Sequence, residues 1–128
     1  VAERQMTKVD YEKLLGFRTD LRRFLRWSEE QARAAGLTPA QHQLLLVVKG
    51  HADPAGPTIG EAAEYLALRH HSAVELADRA EKAGYVVRNR DDDDHRVIRL
   101  QLTSEGEALI RRLSRAHLDE LRRLRSFS

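Results

Sequence analysis

Apolar residues recur near the start of the chain at Leu14, Phe17, Leu21, Phe24 and Leu25, with charged positions between them. This three-and-four spacing draws one stripe along a helix, predicted from about Val9 to Ala35. Gly36 can take the left-handed conformation that ends it. Thr38, Pro39 and Gln41 then spell a capping box with proline in the first helical position. The second helix that starts there buries Leu44, Leu45, Val47 and Val48 and runs to Gly50, where the stretch "HADPAGP" reads as a loop. Thr58 and Glu61 repeat the capping box, and Ile59, Ala62, Ala63 and Leu66 mark a short third helix whose pattern fails near Leu68. After a turn, Ala73, Leu76, Ala77 and Ala80 give a fourth helix, about His71 to Ala83, a narrow face of small residues, with Gly84 as its stop. The period then changes. Tyr85–Arg90 and Arg96–Leu102 read as strands, the second by alternation of Ile98, Leu100 and Leu102 with Val97, Arg99 and Gln101. Four consecutive aspartates, Asp91–Asp94, fill the gap, a composition that suits a solvated turn. Ser104 and Glu107 can cap a last helix continuing to the end of the chain, with Leu109, Leu113, His117, Leu121 and Leu124 along one side.

The third and fourth helices fit a helix-turn-helix or an ordinary helical hairpin equally well. The outer face of the fourth, with His71, Ser72, Glu75, Asp78, Arg79 and Lys82, is more varied than solvation alone requires. The strand pair that follows favours the first, because a hairpin directly after a helix-turn-helix is a wing. Arginines on its arms, Arg88, Arg90, Arg96 and Arg99, would face nucleic-acid backbone or a narrow minor groove. Unpaired aspartates would repel phosphate, so Asp94 is expected to pair with Arg96 and hold its guanidinium in position. The first and last helices carry apolar stripes that a small winged helix leaves uncovered. Leu14, Leu21, Leu113, Leu121 and Leu124 are therefore expected at a dimer interface, the alternative being that the two helices pack on each other as a layer.

Composition narrows the remaining chemistry. At 128 residues, 41% apolar and 33% charged, the chain reads as one globular domain. It has no cysteine, which removes disulfides and thiolate metal sites. The net charge of +2, from 22 basic against 20 acidic residues, means that any polyanion binding must come from local placement of charge. The start lacks an apolar signal core and no stretch reaches the roughly 18 apolar residues of a membrane helix, so a cytosolic location is expected. His71 and Glu75 lie one turn apart on an exposed face, but two ligands do not make a metal site, and neither metal nor cofactor is expected. The aspartate run is not a calcium loop: Arg96 and Leu102 stand where an EF-hand begun at Asp91 needs glycine and glutamate. No phosphate-binding glycine loop, nucleophile elbow or HExxH motif occurs, which argues against an enzyme.

One ordered set of residues carries a family resemblance: Asp78-Arg79-Ala80-Glu81, Gly84-Tyr85-Val86, Arg88, Asp91-Asp92-Asp93-Asp94-His95-Arg96, then Leu102-Thr103 and Gly106. In order and spacing it resembles the multiple antibiotic resistance regulator (MarR) family of bacterial winged-helix transcription factors, whose pattern runs D-R-L-E-x-x-G-L-V-x-R, D-P-x-D-R-R and L-T-x-x-G. Asp92 replaces the usual proline and His95 the first of two arginines, which makes this wing less basic. The chain also ends soon after Arg125, at "SFS", where the family commonly has a further terminal helix. The resemblance covers nearly the whole chain. It implies a mainly α fold with a small β-wing: a winged helix-turn-helix lobe over about 38–103, flanked by dimerisation helices at about 9–35 and 104–128.

It further implies a homodimer on double-stranded DNA, in the family's usual role of a repressor released by a small aromatic or phenolic effector. By two-fold symmetry the operator is expected to be an imperfect palindrome. The DNA-contacting set would be His70, His71, Ser72, Glu75, Arg79, Arg88, Arg90, Arg96 and Arg99, with Arg96 in the minor groove and Asp94 positioning it. Phe17, Phe24 and Trp27 would line the effector pocket or serve as plain core. Glu75 stands where the family is often basic or polar, and would accept from cytosine N4 or pair with Arg79. The rival reading is a winged-helix protein-interaction module without DNA binding; the wing arginines and the polar face of the fourth helix weigh against it.

Overall fold

The computed structural model describes residues 3–124. Five helices and one hairpin follow in the order α1 (Lys8–Ala34), α2 (Pro39–Gly50), α3 (Ile59–Leu66), α4 (His70–Lys82), β1 (Val86–Arg90), β2 (Ile98–Leu102) and α5 (Ser104–Arg123). Threonine opens four of the helices: Thr7, Thr38 and Thr58 form full capping boxes with Asp10, Gln41 and Glu61, and Thr103 accepts from the Gly106 amide. The last of these corrects the expected cap at Ser104. Thr103 is still extended as it leaves β2, and its hydroxyl also donates to the Gly84 carbonyl at 2.6 Å, so it joins the strand end to the helix start while Ser104 is already helical. The end of α5 expected beyond Arg125 lies outside the described residues.

Gly36, at φ 84°, ends α1 as anticipated, and the Leu37 amide returns to the Ala32 carbonyl. The α3–α4 turn is built differently. Ala67 takes the left-handed conformation (φ 53°, ψ 43°) with the Leu68 amide on the Ala63 carbonyl, a helix stop in which alanine does the work usually given to glycine. α4 then begins at His70, one residue earlier than its apolar spacing indicates.

The core gathers around α2, whose Leu44 and Leu45 are completely enclosed by Ala62, Leu76, Ala77, Ala80, Val86, Leu100, Leu109, Ile110 and Leu113. Alanines on α4 let that helix approach closely while its other side stays outside. β1 and β2 pair antiparallel from Val86 opposite Leu102 to Arg90 opposite Ile98. Both strands are shorter than their patterns suggested, because Arg96 and Val97 belong to the turn and Tyr85 to the link from α4. Gly56 packs against the Leu100 carbonyl so closely that no Cβ would fit there, and this brings the α2–α3 loop alongside β2.

The flanking helices divide unequally. α1 gives the core only Ala32, and leaves Val9, Tyr11, Leu14, Leu15, Phe17 and Leu25 exposed. α5, by contrast, spends its first half inside the lobe. Leu113, expected at a dimer interface, is 4% exposed and belongs to the monomer's own core, because Gly106 seats the helix start directly on the Tyr85 carbonyl. Farther along, Leu121 and Leu124 are half-buried and Leu118 is exposed. Among the described residues no helix is long and apolar enough to cross a membrane.

Between these parts sits a cluster of rings. The His117 ring of α5 lies 4.8 Å from that of Trp27, 5.8 Å from Phe24 and 4.7 Å from His42 of α2, between centroids. Its Nδ1 is 2.7 Å from the Leu113 carbonyl, which can only accept, so Nδ1 carries the proton. In the neutral ring Nε2 then accepts from the Ser28 hydroxyl, 2.7 Å away. His42 is only 6% exposed, and burial first, then the nearby His117, hold it below the ordinary histidine value of 6.5.

Two outcomes test this description. Ala67→Gly should stabilise the protein by about 0.5–1 kcal/mol, read from urea unfolding, because glycine adopts the left-handed turn without a Cβ clash. The second concerns His42: below pH 6.5 the unfolded chain takes up a proton that the folded chain refuses, so stability should fall as the pH drops from about 7.5 to about 5.5. His42→Leu should flatten that slope, and an unchanged slope would remove His42 from the explanation.

Candidate nucleic-acid interface

α4 separates two kinds of side chain. Ala73, Leu76, Ala77 and Ala80 point into the core, while His70, His71, Glu75, Asp78, Arg79 and Lys82 are exposed and Ser72 is half-buried. Its 13 residues make a rod of about 20 Å, which a DNA major groove accommodates. Unlike the threonine-capped helices, α4 begins at Arg69 without a side-chain cap and has no acid in its first turn, so its leading amides keep their positive character.

The wing answers how four aspartates are held. Asp91 closes the turn, its backbone amide donating to the Val97 carbonyl and its carboxylate accepting from the Asp93 and Asp94 amides at 3.1 and 3.0 Å. Asp94 accepts both Nε and Nη2 of Arg96, each at 3.0 Å, and the Arg96 amide as well. Even so, the Arg96 side chain is 90% exposed. The guanidinium is oriented from one side and open on the other. Asp92 and Asp93 stay exposed at the tip. Arg99 holds the Asp91 carboxyl below the usual carboxylate range, with the Asp94 and Asp93 amides adding to the effect, and Arg96 does the same for Asp94.

The four wing arginines therefore have different employment. Arg96 projects outward, and Arg90 donates to the His95 carbonyl at 2.8 Å within the loop. Arg99 and Arg88 turn inward, contrary to the expectation that all four face nucleic acid. Arg99, 19% exposed, bonds Asp91 at 2.8 Å and the Gly56 carbonyl at 2.9 Å, with Asp53 and Glu61 at 3.7 and 3.6 Å. Arg88, 26% exposed, joins β1 to α4 through Asp78 at 2.6 Å and Glu81 at 3.0 Å. The cause is tertiary: the α2–α3 loop, bridged to β2 through Thr58 and Arg99, and the α4 carboxylates reach these guanidiniums before solvent does. Asp53, Glu61, Asp78 and Glu81 were absent from the sequence-derived site, and only the last two, one turn apart on α4, left a sequence trace of it.

Among the described residues Glu75 and Arg79, one turn apart, form no ion pair with each other. Phe24 and Trp27 pack around His117, and Phe17 lies two turns earlier on α1, partly exposed.

Known proteins share this fold. The model of the MarR family matches residues 35–97, the lobe from the end of α1 to the wing. An uncharacterized HTH-type transcriptional regulator, YcgE of Bacillus subtilis, is 34% identical over 123 residues, covering 92% of this chain and 74% of that protein. The solved structure of a MarR family protein from Bacillus stearothermophilus superposes with a TM-score of 0.78 at 29% identity, covering 99% of this chain and 86% of the other. A Staphylococcus aureus MepR mutant bound to an oligodeoxyribonucleotide shares the fold at a TM-score of 0.71 and 20% identity, over 92% of this chain and 80% of that one. With the helix-turn-helix, the wing and identity along most of both chains in agreement, the chain belongs to the MarR family of winged helix-turn-helix transcriptional regulators.

Proposed function

We propose that the protein is a homodimeric, sequence-specific DNA-binding repressor, with α4 in the major groove and Arg96 at the adjacent backbone or minor groove. The observation that carries this reading is the Asp94–Arg96 pair. An exposed arginine gains little from a surface carboxylate, yet here two parallel bonds fix the guanidinium and leave its other side open. That arrangement suits an anion approaching from outside. The uncapped start of α4, His70, His71 and Ser72 would add phosphate contacts in the first turn, and Arg79 would reach base edges. Arg88 and Arg99 would serve indirectly, by fixing the wing to α4 and to the α2–α3 loop.

The apolar stripe of α1, with Leu14 exposed and Leu21 half-buried, and the far half of α5, with Leu121 and Leu124, would be covered by a second copy. A two-fold dimer would present two α4 helices to successive major grooves, about 34 Å apart, and select an imperfect palindrome. A small aromatic or phenolic effector would act where α1, α2 and α5 meet, near Phe24, Trp27 and His117. The protein's work on this reading is binding rather than catalysis, in the cytoplasm.

Arg96→Ala should weaken binding to all DNA sequences and lower the salt slope by about one unit, as loss of one phosphate contact would. Asp94→Ala removes a negative charge and by simple electrostatics should bind better; as the group that positions Arg96 it should bind worse. The expected result is weaker binding, measured by titrating an operator fragment selected from genomic DNA at two salt concentrations. Tighter binding by Asp94→Ala would reduce the aspartate to a turn former. Leu21→Glu should shift the protein from dimer to monomer in sedimentation at micromolar concentration, and a compact monomer of the unmodified chain would overturn the dimer.

A further inference from the structure

We infer that Glu75 is a base-selecting residue, which accepts a hydrogen bond from the exocyclic amine of cytosine and turns away guanine and thymine. This rests on the DNA-binding reading above and gives the recognition helix a stated preference.

α4 carries three carboxylates, and a helix that enters a groove between phosphates should not leave them uncompensated. Two are paired from within: Arg88 holds Asp78 at 2.6 Å and Glu81 at 3.0 Å, one cation shared between them. Glu75 alone of the three has no ion-pair or hydrogen-bond partner among the described residues, although Arg79 stands one turn away in the position where helical ion pairs form. Glu75 lies in the second turn of α4, on the stripe that also carries His71 and Arg79, opposite the buried Ala73 and Ala77. On a recognition helix these early turns approach the base edges.

The major groove offers a carboxylate few partners. Guanine presents two acceptors, N7 and O6, and thymine presents O4 and a methyl group, so both repel it or leave it desolvated and unpaired. Adenine offers an amine beside the acceptor N7, which a carboxylate also opposes. Cytosine offers its N4 amine without that adjacent acceptor, and so ranks first, with adenine second. Arg79 strengthens the choice. A guanidinium suits guanine O6 and N7, and the guanine paired with a selected cytosine, or its neighbour, lies within reach of a residue about 6 Å farther along the same helix face. An acceptor followed by a donor thus reads a C·G pair from its two edges, and Glu75 acts chiefly by excluding alternatives.

The experiment is selection from a randomised duplex library with the full chain and with its Glu75→Ala and Glu75→Gln variants, followed by titration of duplexes that differ at one position. Circular dichroism spectra of the variants should match the parent, since the position is exposed. The parent should select cytosine at one position of each half-site and lose about tenfold in affinity when guanine or thymine replaces it. Replacing that cytosine by 2-pyrimidinone, which lacks only the N4 amine, should weaken the parent and leave Glu75→Ala unaffected. Glu75→Ala should lose less than the parent when guanine or thymine replaces that cytosine, keeping only what Arg79 supplies through the paired guanine, and bind unrelated DNA more tightly, having lost a negative charge. Glu75→Gln should move the preference toward adenine, whose N6 and N7 a carboxamide matches. A parent that retains no DNA at low salt overturns the DNA-binding reading and this inference together. A parent that selects a site whose base preferences survive unchanged in Glu75→Ala overturns this inference alone.

Discussion

The outward side of α4 and the wing depends on one guanidinium that is itself turned inward. Arg99 gathers Asp91 at the root of the wing, the Gly56 carbonyl in the α2–α3 loop, and Glu61, itself part of the capping box that starts α3. Two stretches distant in sequence, the root of the wing and residues 56–61, thereby share one cation. A two-stranded hairpin is marginal by itself in water, and this one is given direction by that tie together with Arg88, which fastens the other strand to α4. Two of the four wing arginines are thereby engaged within the protein. What remains outward is Arg96, oriented by Asp94, Arg90 on its loop carbonyl, and the polar face of α4, a narrower cationic surface than the charge along the strands suggests.

The elements that could be read from the chain are those whose physics is local. A hydroxyl and an acid or amide three residues apart satisfy amides at a helix start wherever they occur, and the boxes at Thr38 and Thr58 needed no tertiary information. Period-two alternation and an acidic turn likewise located the wing. Elements that depend on what lies across a gap were not legible. At Thr103 and Ser104 two hydroxyls in succession offered themselves as a cap, and the choice was made by the Gly84 carbonyl, contributed by another segment. The left-handed stop at Ala67 carries no glycine to announce it. Leu113 repeats the spacing of the residues after it, yet is buried because α5 is pinned at its start. Within the site, Arg96 and Asp94 are two residues apart and could be paired by argument; Arg99 and Glu61 could not.

The cluster at His117 holds together the parts that the lobe's core does not. Phe24, Trp27 and Ser28 from α1, His42 from α2 and His117 from α5 meet there, so α1 is tied to the lobe largely by ring contacts and a hydrogen bond, whereas α5 is also held by its buried first half. Such a junction is easier to reset than a packed core, since replacing one ring or bonding partner changes the relation between helices without unfolding either part. In a two-fold dimer the separation of the α4 helices would be set through these joints.

Asp92 and Asp93 at the exposed tip bear on how an association would be measured. Near a phosphate backbone Arg96 is attracted while its two acidic neighbours are repelled, and dissolved ions screen both forces over the same distance. The slope of affinity against salt therefore reports a difference rather than a number of contacts. For this wing it would undercount the cations that touch the DNA, so a shallow slope would be compatible with an intimate contact.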